Sequence, residues 1–102
     1  MSASYTRRTL LTVVCEASIE ARVVVDAKRL GAHGYTASEA RGWGQHGERD
    51  GHWPMSGNVR IDILCDAVVA DAIALHLQAT YFASYAMVCY LSEVSVLRSE
   101  KF

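Results

Sequence analysis

The sequence predicts a small α+β domain in which two helices cover one face of an antiparallel sheet. Short β-branched runs alternate with two segments of helical periodicity, in the order strand, helix, strand, strand, helix, strand. The length of 102 residues suits one domain. Apolar residues make up 51% of the chain, so a hydrophobic core can form.

The first strand and the first helix are predicted before Gly34. Residues 9–15 are rich in β-branched side chains, which favour extended backbone. Ser18 is the expected N-cap of the helix, and Gly31 and Gly34 are expected to end it. The helix itself is predicted from apolar residues that recur at helical spacing, namely Ile19, Val23, Ala27 and Leu30.

A second strand is predicted over residues 35–43, where Thr36 and Trp43 favour extended backbone. Residues 45–56 contain glycines, a proline and several charges, so they are expected to form a mobile loop. Residues 1–7 are expected to be a flexible N-terminus.

The second half of the chain supplies the remaining elements. The third strand is predicted from apolar residues that alternate with Arg60 and Asp62, namely Val59, Ile61, Ile63 and Cys65. Asp66 is the expected N-cap of a second helix that runs to about Ala83. That helix is predicted from Val68, Val69, Ala72, Ile73, Leu75 and Leu77. Residues 86–91 form a fourth strand, and residues 94–97 a short fifth.

This βαββαβ order is that of the ferredoxin-like split βαβ arrangement. Two helices can cover only one face of its four-stranded sheet. Residues 9–15 and 87–91 are nevertheless apolar on both sides. The second face therefore needs a partner, and an oligomer is the simplest one.

Composition excludes several functional classes. Ten basic and eleven acidic side chains nearly cancel, so the chain lacks the basic excess of a nucleic-acid-binding protein. No apolar run is as long as a membrane span, and no signal peptide is recognisable, so we expect a cytoplasmic protein. The three distant cysteines predict thiols in a reducing compartment: Cys15, Cys65 and Cys89.

Catalytic and metal-binding patterns are weak. The sequence shows no Ser-His-Asp order, nucleophile elbow or paired carboxylates on a loop, so we expect no enzyme. The four histidines and three cysteines lack the paired spacing of zinc ligands. Surface histidines and core thiols explain them better. Metal binding through His46, His52 or the cysteines remains a second hypothesis.

An anion site is better supported. A strand that runs into glycines can approach a ligand closely and present backbone N–H groups to it. Arginine suits phosphate because its planar fork donates two parallel hydrogen bonds. The local alternative is a flexible loop beside solvent-facing arginines. The candidate groups for one anion site are the backbone of Gly42, Trp43 and Gly44, with the side chains of Arg60 and Arg98.

The segment that contains these glycines resembles one in the PII signalling family. Its elements Gly34-Tyr35-Thr36, Ser38-Glu39 and Gly42-Trp43-Gly44 are similar to the family's Gly-Met-Thr, Glu and Gly-Phe-Gly. The resemblance covers residues 9–100. It is strongest to the PII-like branch that is associated with bicarbonate transporters and carboxysomes. It implies a homotrimer whose sheets face the three-fold axis.

The resemblance also implies an adenine nucleotide, ADP or AMP, in clefts between neighbouring subunits. Thr36 matches the threonine that hydrogen-bonds adenine, and Arg98 matches an arginine of the C-terminal segment. Gly42 and Gly44 match the glycines that border the phosphates. The further nucleotide-binding candidates are Gln45, His46, Arg60, Leu64, Ala86, Met87 and Val88.

Two departures from the family narrow the expected ligand. Residues 82–86 replace a glycine- and lysine-rich phosphate loop, which favours ADP or AMP over ATP. Residues 45–56 form a shorter loop than in PII proper and contain no tyrosine for modification. The branch implies bicarbonate as a second ligand and a bicarbonate transporter or carboxysome-related protein as a partner. The alternatives are a divalent-metal-binding trimer of the cation-tolerance type and a structural oligomer that binds nothing.

Overall fold

The computed structural model describes residues 4–44, 47–49 and 57–102. Its elements follow the predicted order, with an added two-stranded ribbon. They are strand β1 (Thr6–Glu16), a 3-10 turn (Ala17–Ile19), helix α1 (Glu20–Arg29), strands β2 (Thr36–Ala40), β3 (Gly42–Gly44), β4 (Gly47–Arg49) and β5 (Asn58–Cys65), helix α2 (Ala67–Tyr81), strand β6 (Val88–Val96) and a 3-10 turn (Ser99–Lys101).

The main sheet has the strand order β2-β5-β1-β6, and all its neighbours are antiparallel. The 11-residue β1 lies in the interior and pairs with β5 on one side and β6 on the other. Strand β2 is an edge, where Thr36 pairs with Asp62 and Ala40 with Asn58. This topology confirms the predicted ferredoxin-like α+β fold.

The core lies between the two helices and one face of the sheet. Alternate residues of a strand point to the same face, so β1 and β5 each contribute every second side chain. To this core the two strands contribute Leu11, Val13, Cys15, Val59, Ile61, Ile63 and Cys65. The helices contribute Val23, Ala27, Ala70, Ile73, Leu77 and Tyr81, with Ile19 from the preceding turn. Full burial of each large apolar side chain stabilises the fold by about 1.5–3 kcal/mol.

The opposite face of the sheet, which we call the open face, carries the other side chains of the same strands. Val88 and Tyr90 are about half exposed there. Thr12 is buried at the centre of this face and donates a hydrogen bond to Asp62 Oδ1 at 2.7 Å. The open face is therefore a mixed surface, with a polar centre beside apolar side chains.

The ends of α1 differ in part from the prediction. Ser18 does not cap the helix, because a 3-10 turn precedes α1 and Ile19 takes the N-cap position without a side-chain hydrogen bond. That turn is tied to β5 by a 2.6 Å bond from Ala17 N–H to the Gly57 carbonyl. Gly31 ends the helix as expected, with φ of +121°. Gly34 lies in the irregular connection to β2.

The predicted second strand divides in two. Arg41 separates β2 from β3, and β3 pairs antiparallel with β4 rather than continuing in the main sheet. Part of the expected loop over residues 45–56 is therefore a strand, because Gly47–Arg49 pairs with Gly42–Gly44. The remaining residues of that loop, 45–46 and 50–56, lie outside the described residues.

The two strands predicted near the C-terminus are a single strand, β6. Its polar residues Ser92 and Glu93 do not interrupt it, because β1 is long enough to pair with all of β6. Glu93 also accepts a hydrogen bond from Arg7 at 3.1 Å. Arg7 thus belongs to β1, and the described part of the expected flexible N-terminus is partly a strand.

Helix α2 begins and ends close to the predicted residues. Asp66 occupies the N-cap position, but its side chain makes no capping bond. Its carboxylate lies 3.6 Å from Nε of Arg8 instead. The helix ends at Tyr81 rather than Ala83, and a turn follows in which Ser84 N–H and Tyr85 N–H both donate to the Tyr81 carbonyl.

Candidate functional site

Thr36 and the glycines lie along one edge of the molecule. Thr36 opens β2, is exposed, and pairs across the sheet with Asp62. Strand β2 runs toward Asn58, so Gly42 and Gly44 follow beyond that end of the main sheet. A Cβ built on Gly42 would meet no atom within 4 Å. The chain's own packing therefore does not require glycine at this position.

Arg60 projects from β5 on the open face and is held by an ion pair. Its Nε lies 3.1 and 3.3 Å from the two carboxylate oxygens of Asp62, and the Arg60 side chain is 45% exposed. Asp62 also accepts the bond from Thr12. Arg60 is thus not a freely solvated strand residue. Its Nε is bound to the protein, which leaves the Nη groups as the ones a ligand could use.

The residues before and at the start of β6 lie near the same end of the sheet as Arg60. Val88 pairs with Val14 of β1, and Val14 pairs with Arg60 of β5. Met87 is buried, whereas Ala86 and Val88 are exposed. Together, Arg60, Val88 and the β3 glycines form what we call the Asn58-end group.

Arg98 lies at the opposite end, whereas Leu64 is level with the middle of β6. Leu64 pairs with Leu10, which pairs in turn with Ser92. Arg98 lies two residues beyond the end of β6 at Val96, is exposed, and adopts left-handed backbone with φ of 58°. From Val88 to Val96 the strand spans roughly 26 Å, at about 3.3 Å per residue. We call Arg98, with the end of β6 that precedes it, the far-end group.

The arginines expected to share one anion site are therefore not brought together within a single chain. Arg60 belongs to the Asn58-end group and Arg98 to the far-end group, while Thr36 lies between them on the edge strand. Roughly 26 Å of β6 lies between the two groups. Gln45 and His46 lie outside the described residues.

The described residues do not form a metal centre. Within them, no three His, Cys, Asp or Glu side chains are grouped to hold an ion. Burial raises the pKa of the Cys65 and Cys89 thiols, which disfavours the thiolate that a metal needs. His46 and His52, named in the metal hypothesis, lie outside the described residues. Helix α2 is the longest described helix, and none of the described helices is long and apolar enough to cross a membrane.

The sequence did not reveal a polar cluster between α1 and α2. Asp26 Oδ2 lies 2.9 Å from Nε2 of His76 and accepts a hydrogen bond from the Tyr81 hydroxyl at 2.6 Å. Burial raises the pKa of Asp26, but the bonds from Tyr81 and His76 outweigh burial, and the net pKa is lowered. Fifty positions separate Asp26 from His76, so only the packing of the helices shows the contact.

The chain matches the family described as nitrogen regulatory protein P-II over residues 8–101. A solved structure from Thermus thermophilus, described as a PII-like signaling protein, is 39% identical to the chain. It superposes with a TM-score of 0.84, over 97% of this chain and 98% of that one. No curated protein matches the sequence significantly.

More distant structures share the fold. CPII from Thiomonas intermedia K12, a nitrogen regulatory PII-like protein bound to ADP, AMP and bicarbonate, is 20% identical. It covers 99% of this chain and 98% of its own, with a TM-score of 0.89. A DUF3240 family protein from Shewanella baltica OS155 is 16% identical over 96% and 94% of the two chains, with a TM-score of 0.63. The family match spans nearly the whole sequence, and the chain therefore belongs to the nitrogen regulatory protein P-II family.

Proposed function

We propose that the chain is a PII-like signalling protein that forms a homotrimer and binds ADP or AMP in the clefts between its subunits. Bicarbonate is its second ligand. Membership of the P-II family supports a regulatory role. The ligands are suggested by the solved CPII structure with ADP, AMP and bicarbonate.

The observation that carries the proposal is the separation of the two groups of candidate residues. One chain cannot place Arg60 and Arg98 on the same nucleotide, because roughly 26 Å of β6 lies between their ends of the sheet. Two neighbouring chains can place both arginines on one nucleotide if the Asn58-end group of one subunit faces the far-end group of the next. A cyclic trimer repeats this heterologous contact three times and closes.

The open face supplies the surface for such a contact. The helices cover only the other face of the sheet, and the open face exposes about half of Val88 and of Tyr90. Burying apolar area there contributes roughly 25 cal/mol per Å². The partly buried Thr12–Asp62 pair lies within the same surface and fixes Arg60 before any ligand arrives.

The candidate residues have complementary chemistry for an adenine nucleotide. In this proposal the Thr36 hydroxyl bonds the base, and backbone groups near Leu64 and residues 86–88 line it. The N–H groups of Gly42 and Gly44 approach the phosphates, as glycine permits. Arg60 and Arg98 neutralise the phosphate charge through charge-assisted bonds.

Adenine and guanine differ in the hydrogen-bonding groups on the edge of the base that would face the protein. Adenine carries an amino donor at the position where guanine carries an oxygen acceptor. A backbone carbonyl that accepts from adenine would repel guanine and be left unpaired, which is costly in a closed cleft. ADP is therefore expected to bind more tightly than GDP.

The response to ligand would pass to a partner protein in the cytoplasm. The PII-like branch points to a bicarbonate transporter or a carboxysome-related protein. A nucleotide can shift the protein toward a partner-binding state only by its differential affinity for that state. Adenylate and bicarbonate would then act on one equilibrium, and each would change the affinity of the other by the same factor.

Sedimentation equilibrium combined with calorimetry tests the proposal. The 11.2 kDa chain should sediment as a trimer of about 34 kDa, three times the chain mass. ADP should bind with up to three sites per trimer, and GDP more weakly. A stable monomer, or equal affinity for ADP and GDP, would reject the proposal. Repeating the ADP titration in bicarbonate and in chloride of equal ionic strength tests the second ligand, because screening alone changes phosphate affinity.

A further inference from the structure

A shallow, open cleft lies between the helices, on the side of the molecule away from the open face. It has a volume of about 430 Å³ and is lined by Ala21, Arg22, Val25, Asp26, His76, Thr80 and Tyr81. That volume lies within the range of about 300–1,000 Å³ that small-molecule sites occupy. The nucleotide candidates that the structure describes do not line it.

The acidic group of this cleft is already satisfied by the protein. Asp26 Oδ2 accepts the bond from Tyr81 and contacts His76, while Oδ1 lies 3.8 Å from Arg29. The net effect of these contacts is an Asp26 pKa below its ordinary value, although burial opposes it. A carboxylate that has three partners has little capacity left for a cationic ligand.

The basic group of the cleft is, in contrast, available. Arg22 is exposed, and its guanidinium carbon lies 5.3 Å from the centre of the Tyr81 ring, which orients the group. Among the described residues its Nη1 donates to the Tyr85 hydroxyl over 3.3 Å, a long bond. Guanidinium carries five N–H donors, so the contacts with Tyr85 and Tyr81 leave donors for a ligand.

The Thr80 hydroxyl and the His76 ring add polar groups to the cleft. When Nε2–H of His76 donates to Asp26, Nδ1 of the ring faces the Thr80 hydroxyl at 3.5 Å. Thr80 is exposed and can turn its hydroxyl toward a ligand oxygen. Ala21 and Val25 form an apolar rim, and Val25 is 64% exposed.

We propose that this α1–α2 cleft binds a small carboxylic acid with a short apolar chain. The carboxylate pairs with the planar fork of Arg22 and accepts a bond from Thr80, and the apolar chain lies on Ala21 and Val25. A carboxylate matches one guanidinium fork in a bidentate geometry. The apolar rim of Ala21 and Val25 gives the chain of such an acid a contact that inorganic phosphate cannot use.

Nuclear magnetic resonance titration of the intact protein with hexanoate tests this proposal. Saturable shifts should appear at the backbone amides of Ala21, Arg22, Val25 and Thr80. The expected dissociation constant is on the order of 1 mM, the range for a ligand of about eight heavy atoms. Hexylamine, with the same chain and the opposite charge, should cause no such shifts.

Two variants and one control make the test specific. Arg22→Gln should weaken hexanoate binding by about tenfold or more, the usual effect of losing a charged hydrogen bond. Lys28→Gln removes the same charge from the same helix outside the cleft and should leave binding within about twofold. Val25→Asp changes an exposed residue, so it should leave the fold intact and repel the carboxylate.

Several outcomes would overturn the proposal. Shifts confined to other parts of the chain, or equal binding by hexylamine, would show that Arg22 does not select an acid. Inorganic phosphate that saturates the same amides while hexanoate does not would reject the carboxylic acid class. Unchanged hexanoate affinity in Arg22→Gln and Val25→Asp would place the ligand elsewhere. None of these results depends on adenine nucleotide binding.

Discussion

Asp26 is the residue whose contacts join the two helices most directly. It accepts the Tyr81 hydroxyl at 2.6 Å and contacts His76 at 2.9 Å, and its side chain is 20% exposed. Asp26→Asn removes the charge from both bonds and should lower the free energy of unfolding by about 1–3 kcal/mol at neutral pH. Asp71→Asn, at an exposed position of α2, is the control and should change it by less than about 0.5 kcal/mol. Urea unfolding measures the free energy of unfolding of both variants.

The difference in free energy of unfolding between wild type and Asp26→Asn should depend on pH, because the pKa of Asp26 is lowered. Although burial opposes it, hydrogen bonding holds the folded pKa below the ordinary 3.8. The stabilisation is therefore complete above the unfolded pKa and is lost as pH falls through the folded value. The difference between wild type and Asp26→Asn should be constant from about pH 6 to about 5 and shrink below about pH 4. A difference that grows as pH falls from about 4 to about 3 would contradict this sign.

Gly31 and Gly34 provide a matched pair at the end of α1. Gly31 has φ of +121°, and a Cβ there would lie 3.1 Å from Val69 Cγ2. Gly31→Ala should cost about 1–3 kcal/mol, because an L side chain is strained in this backbone region. Gly34→Ala meets no atom within 4 Å and should be nearly neutral. Equal thermal unfolding temperatures for the two variants would contradict this assignment of the helix end.

At the scale of elements, the local sequence pattern predicted the strands and helices that bury one face in the core. The alternation of Val59, Ile61 and Ile63 predicted β5, because one face of that strand is buried against the helices. The spacing of Ile19, Val23 and Ala27 predicted the buried face of the first helix for the same reason. These patterns are strong because burying one face of an element requires apolar residues at the spacing of a strand or at that of a helix.

Elements that depend on long-range pairing were not predictable in this way. Strand β6 continues through Ser92 and Glu93 because β1 offers pairing partners, which no local window contains. Strand β4 forms in a segment whose glycines predicted a loop, because it pairs with β3. Ser18 has the chemistry of an N-cap, but the bond between Ala17 and Gly57 places a 3-10 turn there. Tertiary contacts overrode local propensity at each of these positions.

At the scale of the whole molecule, the sequence predicted the fold and family but not how the site is divided. The family resemblance named candidate residues without their relative positions. The strand register shows that Arg60 and Arg98 lie at opposite ends of the sheet. The cleft between Arg22 and His76 could not be predicted, because its residues come from two helices far apart in sequence.

The open face should be the surface through which subunits associate. Tyr90 is 49% exposed on that face, so Tyr90→Glu should fold but dissociate the trimer, since association would bury an unpaired charge. Leu75→Glu changes a 66% exposed residue on the outer side of α2 and should leave the trimer intact. Sedimentation velocity distinguishes them. A trimer retained by Tyr90→Glu and lost by Leu75→Glu would assign the interface to the helices.

The central claim is that each nucleotide is bound by two subunits, and mixed trimers test it most directly. Arg60→Gln impairs the Asn58-end group, and Arg98→Gln impairs the far-end group. Each variant alone should bind ADP poorly.

Coexpression with two different affinity tags, followed by purification through both, yields trimers that contain both variants. In such a ring one of the clefts combines two unaltered groups, so calorimetry should recover about one tight ADP site per trimer. If the wild-type protein binds ADP but the mixed trimers bind no more than either variant alone, the nucleotide site lies within one subunit. The claim is then contradicted.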